Sequence, residues 1–226
     1  MTKYEIKNGV GIIPAGTTEI EMFAFADCKE LREVAIPESV TSIGARAFMG
    51  CTALKKLQLP YGLMKIGGGA FADCKALKEL DFPDGLTTIG YNAFARCTAL
   101  ESPLCLPDSL KHIHSGAFMG CTNLTCISLP PEIQRIDMRT FQDCTSLHTL
   151  ILPAGIKRIG EMAFEGCSAL QMICIPVSAT EHYRTLLPDM MQSHLRPMPD
   201  NLGRMERLTM EMMCDERSKE YIKPCK

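Results

Sequence analysis

Tryptophan is absent from this 226-residue chain, and aromatic residues make up 6% of it. Stacking platforms for nucleobases or sugars are therefore scarce. Neither sign of charge is in excess: 24 Lys and Arg stand against 26 Asp and Glu, a formal net charge of -2. That balance gives no general drive toward nucleic acid or an anionic membrane. No apolar run reaches the ~20 residues of a membrane helix. An export leader needs a basic start and an apolar run of about 7–15 residues. Glu5, Lys7 and Asn8 interrupt any such run here. The expectation is a cytoplasmic chain, with a cell-surface or secreted placement as the alternative if a leader has been removed. Phosphate-loop, nucleophile-elbow, HExxH and CxxC motifs are missing, and nothing pairs a nucleophile with a base. The sequence predicts no enzyme, no cofactor and no metal site.

What the chain does have is a repeat. Phenylalanine recurs at Phe25, Phe48, Phe71, Phe94, Phe118, Phe141 and Phe164, at intervals of 23 residues with a single 24. A cysteine follows each Phe by three positions, at Cys28, Cys51, Cys74, Cys97, Cys121, Cys144 and Cys167. A leucine follows three further on, from Leu31 to Leu170. Prolines keep the same phase, as at Pro60, Pro83, Pro107 and Pro130. A fixed period of this length means a stack of small units, none of which can bury its apolar face alone. Within a unit, Ile43, Ala47, Phe48, Cys51 and Leu54 fall at helical steps, whereas Leu57 and Leu59 fall at the strand step of two. The expected unit is a short strand, a turn at the Ile-Gly pair and a short helix. Eight proline-terminated strands would make one parallel sheet roughly 35–40 Å long, since neighbours lie ~4.8 Å apart.

The shared script is IG..AF..C..L..L.LP, as in YGLMKIGGGAFADCKALKELDFP from Tyr61 to Pro83. It resembles the leucine-rich repeats of the BspA-like (Treponema pallidum) type, from roughly residue 11 to Pro176. The resemblance implies a leucine-rich-repeat solenoid, a right-handed β/α superhelix built on a parallel sheet with short helices or turns. It also implies bacterial, often surface-displayed, relatives. The expected division is a solenoid over residues 1–176 and a helical C-terminal segment over 177–226.

The seven in-phase cysteines point the same way, and stacked neighbours with parallel Cβ vectors do not meet disulfide geometry. They read as buried free thiols acting as small apolar residues. Recognition is left to positions that vary between units, which are the outward strand residues. One column reads Glu33, Lys56, Glu79, Pro103, Cys126, Thr149, Met172, and the other Ala35, Gln58, Asp81, Cys105, Ser128, Ile151, Cys174. From Lys56 to Cys174 these form the candidate partner-binding face for an unknown protein or peptide. The first half is charged; the second is apolar to mildly polar. That second half awaits either the chain's own tail or a partner, a second copy included. Two alternatives stand beside a peptide-binding scaffold: a surface or host-facing adhesin, and a structural protein that self-assembles through its tail helix or solenoid end.

Unit four carries one extra residue, and Pro103 there predicts a bulge. A second variable stripe turns basic at Lys111, His112, Arg135, Lys157 and Arg158, and His114 replaces the usual Gly. After Pro176 the repeat stops. Ser178 and Glu181 fit a capping box opening a short terminal helix. RPMPD reads as a linker. Leu202, Met205, Leu208 and Met212 then form an apolar helical stripe that folds back or docks a second chain.

Overall fold

The computed structural model describes residues 4–101 and 104–200, together with residues 206 and 209. The repeat is a solenoid in which each unit adds one rung. The seven Phe rings stack in one file, with centroids 5.1–5.9 Å apart and planes within 11° of parallel. From Phe25 to Phe141 they are fully buried, and a single apolar core runs the length of the stack.

The cysteine file lies beside the rings, all thiols free. Each thiol from Cys51 onward donates to the carbonyl of the Phe one unit earlier. Cys97 reaches Phe71 O at 3.0 Å, and Cys144 reaches Phe118 O at 3.1 Å. The Cys28 thiol instead turns to Ala26 O at 3.7 Å. The column therefore needs a small side chain that is apolar in bulk yet carries one weak donor.

The segment expected to be a helix is instead a run of turns. The apolar steps of three and four are real, but they arise from local i→i+3 bonds. In unit two Met49 N–H donates to Arg46 O and Cys51 N–H to Phe48 O. The alternate amides leave the unit: Arg46, Phe48 and Gly50 N–H donate to Gly68, Ala70 and Ala72 carbonyls of the next at 2.7–2.8 Å. That alternation needs two left-handed residues per unit, two before and two after the Phe. Arg46 and Gly50 have φ of 56° and 73°, and Asn92 and Arg96 have 53° and 59°. A helix cannot run through such residues.

Two more ladders complete the rung. Short strands at the Ile-Gly corner, such as Ser42–Ile43, Lys65–Ile66 and Thr88–Ile89, pair in parallel and in register. Their glycines are set by close approach of the previous unit. A Cβ on Gly90 would lie 2.6 Å from Gly68 N, and one on Gly67 2.7 Å from Ala45 N. The prolines from Pro14 to Pro130 start a tight turn into this corner, as Leu63 N–H donates to Pro60 O.

The strand face is two sheets, not one. Glu5–Lys7, Val10–Ile12, Glu33–Ala35 and Lys56–Gln58 form the first. Cys126–Ser128, Thr149–Ile151, Met172–Pro176 and Leu195–Met198 form the second. Units three and four follow the same path without strand pairing among the described residues. The interruption includes the extra residue of unit four; Pro103 and its expected bulge lie outside the described residues.

Both ends are finished differently from the expectation. The first two strands make an antiparallel hairpin around Asn8 and Gly9, both at positive φ. Tyr4 stacks on Phe25 at 5.4 Å and extends the ring file by one. At the other end a helix runs Thr180–Leu186, but no side chain caps it. The Ser178 amide is bonded by Asp200 Oδ1 at 2.9 Å, so the capping box is not used. Tyr183 is fully buried and its hydroxyl donates to Pro153 O. Three of the five residues of the expected linker are strand: Leu195–Met198 adds in parallel to Met172–Pro176. Pro197 is tolerated because this is an edge strand.

Candidate functional site

The two outward columns are in register. Glu33 faces Lys56 and Ala35 faces Gln58 across the first sheet. Cys126, Thr149 and Met172 align across the second, as do Ser128, Ile151 and Cys174. The residue between the columns packs against the core on every strand, from Val34 to Ile173, with Leu57 half-buried. Alternation therefore places these side chains opposite the ring file.

The two halves of the face differ in accessibility. Glu33, Ala35, Gln58, Glu79 and Asp81 are exposed. They surround a shallow depression of about 270 Å³ lined also by Val34, Lys55 and Leu57. Among the described side chains, three carboxylates against one ammonium make its lining acidic. Cys105 is half-buried. Beyond it the face closes: Cys126 and Thr149 are 0% exposed, Ile151 3%, Cys174 4% and Ser128 5%, with Met172 half-buried. Cys126, Ile151 and Cys174 form a separate small apolar cluster, against which Met198 packs. The apolar positions left either to the chain's own tail or to a partner are thus buried in this structure.

The basic stripe on the corner ladder holds a second cluster. Arg135 and Arg158 are register partners, with Arg135 bridged to Asp137 at 3.0 Å. His114 lies 3.7 Å from Asp137 and stacks on Tyr91 at 4.6 Å. Burial holds the His114 imidazole below its ordinary range, and this outweighs the opposing pull of Asp137. His114 and Asp137 stand in the column that is glycine at Gly90 and Gly160, and the corner ladder stops between them: His112–Ile113 and Arg135–Ile136 belong to different sheets. His114 leaves the pairing with Thr88–Ile89 intact, and the break falls where two side chains, His114 and Asp137, follow one another in the column. Beside it is a second depression, of about 310 Å³, lined by Arg135, Arg158, Asp137 and Glu161 among others. Of these charges, Arg135 and Asp137 are paired.

Stacked rungs, an inward file of leucines and rings, and an outward mosaic define a leucine-rich-repeat solenoid. The model of the BspA type leucine rich repeat region matches residues 10–105 and 102–187 in six copies, and the chain belongs to that family. Among solved structures it is similar to a leucine-rich repeat protein of T. pallidum, at 28% identity and a TM-score of 0.68, covering 83% of this chain and 94% of that one. A leucine-rich repeat protein of Bacteroides ovatus is 38% identical over 73% of this chain, with a TM-score of 0.59; the match spans 48% of that protein. A leucine rich cell surface protein of Faecalibacterium prausnitzii shares the fold at 22% identity, covering 84% of this chain and 62% of that one, with a TM-score of 0.52. No curated protein matches the chain.

Proposed function

We infer that the chain is a non-enzymatic scaffold that binds a protein or peptide along the open first half of its strand face. The observation that carries this reading is the contrast within one pair of columns. Positions the repeat does not constrain are exposed and acidic at Glu33, Glu79 and Asp81, over a depression between rungs. A partner complementary to that lining is basic and extended, its main chain lying across the rungs. Ala35 and Gln58 leave room for side chains between the carboxylates.

The test is a fluorescence-anisotropy titration against lysine- and arginine-rich peptides, with acidic peptides of matched length as controls. Glu79→Lys with Asp81→Lys should weaken binding of the basic set at least fivefold and remove its salt dependence. Equal binding by the double variant, or no preference for basic peptides, would show that the face is wrong.

A further inference from the structure

We propose that residues 201–226 of the same chain occupy the closed second half of the strand face. This is independent of the reading of the first half. Cys126, Ser128, Thr149, Ile151 and Cys174 lie on the outer surface of the sheet, yet none exceeds 5% exposure. The same columns are exposed at Glu33, Ala35, Gln58, Glu79 and Asp81. Burial across three adjacent strands requires a continuous cover. Among the described hydrophobic side chains Met198 packs on the apolar cluster, and it is itself only half-buried.

The chain's path supplies the rest of the cover. Leu195–Met198 pairs beside Met172–Pro176, with Met198 opposite Pro176. The backbone thus leaves the sheet next to the patch, and 26 residues follow Asp200. Leu202, Met205, Leu208 and Met212 recur there at helical spacing. Glu206 and Thr209 are helical and exposed, and in sequence they alternate with these apolar positions, which lie outside the described residues. Three strands span roughly 10–15 Å, within the length of a helix of about ten residues. Methionine side chains suit a surface made of thiols, an isoleucine and hydroxyls, because they adapt to irregular gaps.

The full-length chain tests the assignment through its own thiols. Alkylation by iodoacetamide under native conditions is followed at each cysteine by mass spectrometry. Met205→Asp with Leu208→Asp should speed labelling of Cys126 and Cys174 at least tenfold. Cys74, Cys97 and Cys121 should stay protected, which shows that the solenoid is intact. Unchanged rates at Cys126 and Cys174 would overturn the proposal. A photocrosslinker at position 208 in the otherwise unaltered chain decides independently of that variant's folding. Crosslinks to peptides spanning 126–174 within a monomer support the assignment. Crosslinks to any other part of the chain, or a crosslinked dimer, refute it, the latter naming a second copy as the occupant.

Discussion

Alkali should unfold this protein steeply, and the cause is the thiol file. Cys51, Cys74, Cys97, Cys121 and Cys144 are all at 0% exposure. Burial pushes Cys51 and Cys97 up to about 12, and it raises Cys74, Cys121 and Cys144 well above the ordinary thiol range. In the unfolded chain the same groups ionise near ~8.5. Below that value both states are protonated and the thiols contribute no pH dependence. Above it the unfolded state releases protons that the folded state keeps, so stability falls as pH rises toward the folded values. Each thiol contributes about 1.4 kcal/mol per pH unit in that window. Five together contribute about 7 kcal/mol per pH unit, against a total stability of about 5–15 kcal/mol for an ordinary domain. The alkaline midpoint should therefore fall between about pH 9 and 11. Urea titrations by far-UV circular dichroism, with a phosphine reductant present, measure the slope at successive pH values. Cys97→Ala should lower it by about 1.4 kcal/mol per pH unit. Stability that is flat from pH 8 to 10.5, or a slope untouched by Cys97→Ala, would refute the reasoning.

Position in the stack should set the cost of losing a ring. Phe94 is fully buried, stacked between Phe71 and Phe118 and met edge-on by Phe82. Phe94→Ala should cost about 3–5 kcal/mol. Phe164 is half-buried and, among the described residues, stacks on Phe141 alone, so Phe164→Ala should cost about 1–2 kcal/mol. Equal shifts in urea midpoint at the two positions would contradict the difference. Two glycines form a second pair. A Cβ on Gly90 meets backbone at 2.6 Å, whereas one on Gly85 meets nothing closer than 3.7 Å. Gly90→Ala should destabilise by about 1–3 kcal/mol. Gly85→Ala should be neutral or stabilise by up to about 1 kcal/mol. Thermal melts separate these outcomes.

The repeat made the inner layer legible. Phe, Cys and Leu in constant phase predicted shared rows, and the rows are there. The form of the turn segment was harder to read, because a spacing of three and four is common to a helix and to successive i→i+3 turns. The discriminating signal lay in the columns around the Phe, where Gly69, Asn92, Gly116 and Asp73, Gly120, Asp143 recur as residues tolerant of positive φ. Arg46, Arg96 and Arg139 hid it, since the ladders on both sides force them into the same conformation. Asn8-Gly9 was a hairpin signal between Glu5–Lys7 and Val10–Ile12. Pro197 masked the last strand, because proline reads as a breaker unless the strand is known to be an edge.

The outward columns were legible as columns, since register follows from the period. Their accessibility was not. Whether Ile151 or Cys126 meets solvent depends on where residues outside the repeat go, and periodicity carries no such information. The interruption of the corner ladder at His114 and Asp137 was half visible. The replaced glycine stood out in sequence, but its consequence depends on how closely the previous unit approaches, which only the fold shows.

The claim on which the account turns is that neighbouring rungs touch through like residues. A double-mutant cycle on Phe71→Ala and Phe94→Ala tests it most directly, because their rings lie 5.3 Å apart. The predicted coupling is at least about 0.5 kcal/mol, with the pair Phe48→Ala and Phe141→Ala, which are not neighbours in the file, additive within about 0.3–0.5 kcal/mol. Coupling equal in the two cycles, or absent from the first, would contradict a stacked file.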